Sequence, residues 1–124
     1  MAYRSFEDLE VWQSACRISI EVYKHLKTCR DYGMKDQMTR ASVSIASNIS
    51  EGCERDSRKE FIRFLNIAKG SSAELRTQLH IAGEVGIIPV SVQRELIEEL
   101  KVLSRKLHKL IQSCIPPLTP NPDT

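Results

Sequence analysis

The sequence predicts an all-α protein, an antiparallel up-down-up-down four-helix bundle. Three observations carry that prediction. Apolar residues recur at three- and four-residue steps through four long segments that take up nearly the whole chain. No stretch alternates apolar and polar residues between turn signals, as a half-buried strand does. The connections, about residues 30–33, 55–57 and 87–90, are short, which sets consecutive helices antiparallel.

The first segment spans about residues 8–29 and carries two apolar registers side by side. One is Leu9, Trp12, Cys16, Ser19, Tyr23 and Leu26; the other is Val11, Ala15, Ile18, Val22, His25 and Cys29. The second segment, about 34–54, marks its core edge with Met34, Met38, Ala41, Ile45 and Ile49. Tyr32 and Gly33 precede it as a break, and Gly52 near its end permits a close approach to a neighbour. The third opens on the capping box Ser57-Arg58-Lys59-Glu60, in which the hydroxyl accepts from the Glu60 N–H while the carboxylate reaches back. Phe61, Phe64, Leu65, Ala68, Leu75, Leu79, Ala82 and Val85 follow, then Gly86 as a stop and Pro89 beyond it. Gly70 interrupts this segment, and a close packing contact is the expected compensation for its low helix propensity. The fourth segment, about 91–115, has Leu96, Leu100, Leu103, Leu107, Leu110 and Cys114 in strict alternation, with Ser91 as N-cap. Lys106 and Lys109 suit its negative dipole end, and Pro116-Pro117 terminates it. Residues 1–115 therefore form one domain and 116–124 a Pro-rich, flexible C-terminal tail.

Length and composition narrow the function. A chain of 124 residues fits a single domain with a real core, which excludes a multi-domain enzyme. With 41% hydrophobic and 27% charged residues it is neither low-complexity nor disordered. There is no apolar run long enough to span a membrane and no signal core at the start, so a cytoplasmic protein without membrane contact is expected. Cys16, Cys29, Cys53 and Cys114 are too scattered for a metal or redox motif and read as reduced, mostly buried thiols. No catalytic, cofactor or metal-ligand motif is present: His25, His80 and His108 fall on different helices without ligand spacing. A non-enzymatic role without cofactors is the reading that follows.

Two constellations remain. Arg40, Ser44, Asn48 and Glu51 share one face of the second helix, and Glu74 and Gln78 form a similar line on the third, so the two lines are a candidate polar network. Basic residues of the fourth helix (Lys101, Arg105, Lys106, Lys109), with Arg40 and Arg55, are candidate nucleic-acid contacts, because Lys and Arg release counterions from phosphates. The same helix face, offset by Glu95, Glu98 and Glu99, also reads as a solvated surface.

Three stretches in order carry a family resemblance: Phe6 to Ala15, the run Gln37-Met38-Thr39-Arg40-Ala41-Ser42-Val43-Ser44-Ile45-Ala46-Ser47-Asn48-Ile49-Ser50-Glu51-Gly52, and Glu60 to Leu75. Over roughly residues 5–115 the chain resembles the bacterial four-helix-bundle proteins known as the ribosomal-RNA intervening-sequence family. That family is similar in fold to accessory proteins of diversity-generating retroelements, which are five-fold basic assemblies that bind a reverse transcriptase and nucleic acid. The resemblance implies a bundle, a homopentamer, and contact with RNA or a nucleic-acid enzyme; it implies no catalytic residue.

Self-association also follows from the residues. The double register of the first helix, and further apolar positions flanking the core stripes, exceed what a monomeric bundle can bury. Val11, Ile18, Ile62, Ile67, Ile81 and Ile97 are accordingly the candidate oligomer interface. The function expected is a homo-oligomeric scaffold or interaction protein; the alternative is an RNA-binding accessory protein associated with ribosomal-RNA intervening sequences.

Overall fold

The computed structural model describes residues 5–115. A short 3₁₀ turn, Phe6–Asp8, leads into α1 (Glu10–Leu26), α2 (Tyr32–Cys53), α3 (Arg58–Glu84) and α4 (Val90–Cys114). Each helix packs on its chain neighbours, and α4 closes back on α1, so α1 and α3 lie on one diagonal and α2 and α4 on the other. This is the antiparallel four-helix bundle that the apolar periodicity predicts. The expected tail at 116–124 lies outside the described residues.

The helix ends follow from local chemistry. Asp31 caps α2, its carboxylate accepting from the Met34 N–H at 3.1 Å. Tyr32 and Gly33, expected as a break, are therefore the first turn of α2. Ser57 caps α3 as predicted, accepting from the Glu60 N–H at 3.0 Å. The reciprocal half of the capping box does not form, because Arg63 draws the Glu60 carboxylate to 3.1 Å on the outer face. α3 stops at Gly86, whose φ of +82° suits a residue without Cβ. There the Ile87 N–H donates to the Ala82 carbonyl at 2.8 Å and the Gly86 N–H to Gly83 at 3.3 Å, the paired closure of a Schellman motif. Ser91 is not the cap of α4; Pro89 holds that position without a side-chain bond, and its fixed φ leads the chain into the helix.

The core is a continuous cluster drawn from all four helices. Ile45, Ile49, Leu65, Leu75, Leu100 and Leu107 are fully enclosed in it. On α1 the core stripe is Val11, Ala15, Ile18, Val22 and Leu26. Val11 and Ile18 are only 6% and 1% exposed, so neither is available to a second subunit. The neighbouring register carries Trp12, Cys16 and Tyr23, whose polar atoms favour a partner or water over a dry core, while its Ser19 is buried only with a hydroxyl partner on α2. Ile62 and Ile97 are also half-buried against the core, whereas Ile67 and Ile81 remain exposed, as does Val85.

Two glycines set close approaches. A Cβ on Gly52 would lie 2.8 Å from the Cβ of Phe64, so α2 and α3 meet there nearly backbone to side chain. A Cβ on Gly83 would overlap the side chain of Gln93, which crosses from α4 to donate to the His80 carbonyl at 2.7 Å. Gly70 contradicts its expected role: nothing lies within 4 Å of where its Cβ would be.

Candidate functional site

Hydroxyl pairs occupy the three interfaces between consecutive helices. Ser19 and Ser42 join α1 to α2 at 2.9 Å, both buried, and Ser42 also donates to the Thr39 carbonyl at 2.8 Å. Ser44 and Ser71 join α2 to α3 at 2.9 Å. Ser104 donates to Ser72 at 3.3 Å between α4 and α3. Serine serves here because its side chain is short enough to let backbones approach while its hydroxyl both donates and accepts.

The predicted polar network forms only in part. Asn48 donates through Nδ2 to the Ser44 carbonyl at 2.8 Å and to Ser44 Oγ at 2.9 Å, and Ser44 bonds Ser71. Arg40, Ser44 and Glu74 line one shallow depression with Gln37 and Ala41. Arg40 nevertheless turns to Asp36 at 2.9 Å, one helical turn back, and Glu51 pairs with Arg55 at 3.4 Å. Both stay outside the network because an i,i+4 partner on their own helix is nearer than any across the groove. Gln78 is buried, and its Oε1 has no hydrogen-bond partner among the described residues. Ser71 completes the network, and the antiparallel register of α2 and α3 is what brings it to Ser44.

The predicted nucleic-acid contacts divide in two. Arg40 and Arg55 are ion-paired as above, and Arg55 also lies 4.9 Å from the Phe64 ring centroid, opposite Arg63 at 4.6 Å. Lys101 pairs with Glu98 at 3.7 Å. Lys106 reaches across to Glu10 on α1, and its hydrogen bond and charge hold the Glu10 carboxyl below its ordinary range. Arg17 and Glu99, 3.7 Å apart, form a second ion pair across the α1–α4 seam. Arg105 and Lys109 enter no ion pair among the described residues. They instead line the α3–α4 cleft together with Lys69, Arg76, Ser104 and His108. Lys69 and Arg76 were not singled out in the sequence, since each is isolated on α3 and only the fold sets it opposite α4.

The opposite side of the bundle is apolar. Between α1 and α2 runs a groove of about 590 Å³ lined by Phe6, Trp12, Cys16, Ile20, Tyr23 and Val43, among others. Ile20, Tyr23 and Val43 are 53%, 52% and 41% exposed. Phe6 closes one end, its ring edge-on to Trp12 at 5.3 Å between centroids. Burial beside this groove pushes the Cys16 thiol above its ordinary pKa. Among the described residues no cluster of His, Cys, Asp and Glu is arranged to hold a metal ion. No helix among them is long and apolar enough to cross a membrane.

Fold and surface together define a small antiparallel four-helix-bundle protein with an apolar groove on one side and a basic cleft on the other. The chain belongs to the 23S rRNA-intervening sequence protein family, whose model matches residues 7–109. A solved structure from Bacteroides thetaiotaomicron, described as a protein with unknown function from the S23 ribosomal protein family, shares the fold. Its TM-score is 0.77 at 24% identity, over 82% of this chain and 98% of that one. No curated protein matches the chain.

Proposed function

We propose that the chain is a non-enzymatic, cytoplasmic scaffold that works as a cyclic homo-oligomer, a homopentamer by the family resemblance. The observation that carries this reading is the α1–α2 groove. Ile20, Tyr23 and Val43 place large apolar side chains in water beside Phe6, Trp12 and Cys16, which forms one continuous apolar strip. A second copy of the chain covers such a strip without a further partner, and in a ring each copy offers a different face to the next. Ile67 and Ile81 on the exposed side of α3, with the open Gly70 between them, supply an apolar face for that contact.

The test is native mass by light scattering on a size-exclusion column. The wild type is expected near five subunits, and Ile20→Glu with Tyr23→Glu near one, with helicity unchanged. Val11→Glu with Ile18→Glu is expected to abolish folding instead, because both positions are core. A monomeric wild type overturns the reading.

A second reading, RNA contact, is favoured by the α3–α4 cleft, where Arg105 and Lys109 enter no ion pair among the described residues. It predicts a salt-dependent RNA affinity lost in Arg105→Glu with Lys109→Glu. Lys106 is left unchanged in that variant, since altering it would also break the α1–α4 seam.

A further inference from the structure

Lys69 and Arg76 of α3 face Arg105, His108 and Lys109 of α4 across a cleft of about 460 Å³. No carboxylate lines it, and none of the ion pairs among the described residues involves any of its four cations. Elsewhere seven lysines and arginines pair with neighbouring acids, and Lys27, Arg30, Lys35, Arg58, Lys59 and Arg94 enter no ion pair among the described residues; here four unpaired cations line one concavity, which focuses their field on whatever enters.

The donors are arranged for oxygen acceptors. Lys69 Nζ lies 3.3 Å from His108 Nδ1. An ammonium can only donate, so Nδ1 accepts, and the imidazole proton sits on Nε2 as one more donor. Arg76 buries its Nε–H with no acceptor among the described residues. That Nε–H is enclosed, so what Arg76 offers an oxyanion is the rest of its guanidinium fork where it lines the cleft.

Spacing sets the length of that anion. Lys69 and Arg76 are two helical turns apart, roughly 10 Å along the axis, and Arg105 and Lys109 about 6 Å. One phosphate cannot reach both ends; linked phosphates can. We propose that the α3–α4 cleft is a binding site for a chain of linked phosphates, with Lys69, His108 and Lys109 holding one end and Arg76 and Arg105 the other. The same chemistry is offered by free oligophosphates and by an RNA backbone. The inference sharpens the RNA reading to a site but does not depend on it.

The test is calorimetric titration of the full chain with inorganic tripolyphosphate, inorganic phosphate and a short single-stranded RNA. Tripolyphosphate is expected to bind at least about tenfold more tightly than phosphate, because only it spans both ends. Arg76→Gln is expected to weaken it roughly tenfold, and Arg105→Gln and Lys109→Gln roughly threefold each, while Lys101→Gln, outside the cleft and paired with Glu98, leaves it unchanged. The exposed Arg105 and Lys109 variants keep the test valid if Arg76→Gln perturbs folding. Absence of tripolyphosphate binding, or equal weakening by Lys101→Gln, overturns the site. RNA that displaces tripolyphosphate supports the site and makes a backbone the source of the phosphates. RNA that binds without displacing it overturns only the assignment of RNA to this face.

Discussion

The same substitution, Gly to Ala, is expected to act with opposite sign at two positions. At Gly70 the new methyl meets nothing within 4 Å and the backbone is helical, so only helix propensity changes. Ala in place of Gly in a helix interior is worth about 0.5–1 kcal/mol, so Gly70→Ala stabilises by that amount. At Gly52 the methyl would come within 2.8 Å of Phe64 Cβ and 3.3 Å of Phe61 Cδ1, and the first of these is tethered directly to the α3 backbone. Helices α2 and α3 must then separate at a packed seam, an overpacking cost of about 1–3 kcal/mol. Set against the propensity gain, the net loss for Gly52→Ala is about 1–2 kcal/mol. The two variants should therefore differ by about 2–3 kcal/mol in urea denaturation followed by circular dichroism, with melting temperatures moving about 3–5 °C per kcal/mol for a chain of this size. Light scattering on each variant holds the state of assembly fixed, since association shifts apparent stability. A Gly52→Ala protein as stable as wild type would refute the close α2–α3 approach. A Gly70→Ala protein destabilised only in its assembled form would place the partner copy against Gly70, and one destabilised as a monomer would refute the open surface at α3.

Other perturbations follow from single contacts. Ser57→Ala removes the side-chain cap of α3 and is expected to cost about 1 kcal/mol in urea denaturation, whereas Ser91→Ala, which caps nothing, is expected to stay within about 0.5 kcal/mol of wild type. Ser42→Ala strands the buried Ser19 hydroxyl and is expected to lower stability by about 1–3 kcal/mol on the same assay. Acid should weaken the protein through its exposed ion pairs. Arg63 and Lys106 hold Glu60 and Glu10 below their ordinary value of 4.5, so the folded state keeps these carboxylates charged where the unfolded chain takes up protons. That contribution is complete above about pH 4.5 and disappears as pH falls through the depressed values. Glu60→Gln is thus expected to show a smaller drop in urea midpoint between pH 7 and pH 3 than wild type. Cys16, whose thiol burial pushes upward, is expected to react with iodoacetamide at pH 8 more slowly in the folded than in the unfolded protein.

The four helices were legible because their core stripes keep one period from end to end. Leu96, Leu100, Leu103 and Leu107 need no knowledge of the other helices to be placed inside. Ser57 and Gly86 were legible for the same local reason, since a cap and a left-handed stop are decided within about one turn. The α1 stripes were misassigned because spacing treats them alike. What separates them is atom chemistry: Val11, Ala15, Ile18, Val22 and Leu26 carry no polar side-chain atom, while Trp12, Ser19 and Tyr23 do. That difference places Tyr23 on the exposed face and Val11 and Ile18 in the core; Ile20, with no polar atom, is exposed by its position on the helix alone. Of the basic cleft, the α4 half, Arg105 and Lys109, was legible and the α3 half was not. Lys69 and Arg76 are separated from Arg105 and Lys109 by the whole α3–α4 connection, and only the antiparallel register set by Ser72 on Ser104 makes them one surface.

The four seams of the bundle are built from two kinds of contact, and the difference explains where its surfaces lie. Consecutive helices are joined by hydroxyl pairs that span little more than a bond length, so α1–α2, α2–α3 and α3–α4 are held at fixed axial register. The closing seam, α4 to α1, has no such pair among the described residues. Long side chains bridge it instead, Lys106 to Glu10 and Arg17 to Glu99, and such exposed pairs constrain separation weakly. Those pairs engage Lys106 and neutralise the seam, while Arg105 and Lys109, farther round α4, enter no ion pair among the described residues. On α1 the charged side faces α4, the aliphatic side faces the core, and the Trp12, Cys16 and Tyr23 side is left over beside α2. A face apolar enough for a core but excluded from it by geometry is what a second subunit can cover, and it lies on the side of the bundle away from the basic cleft. The proposed assembly through α1–α2 would therefore leave the α3–α4 cations free for the proposed phosphate chain.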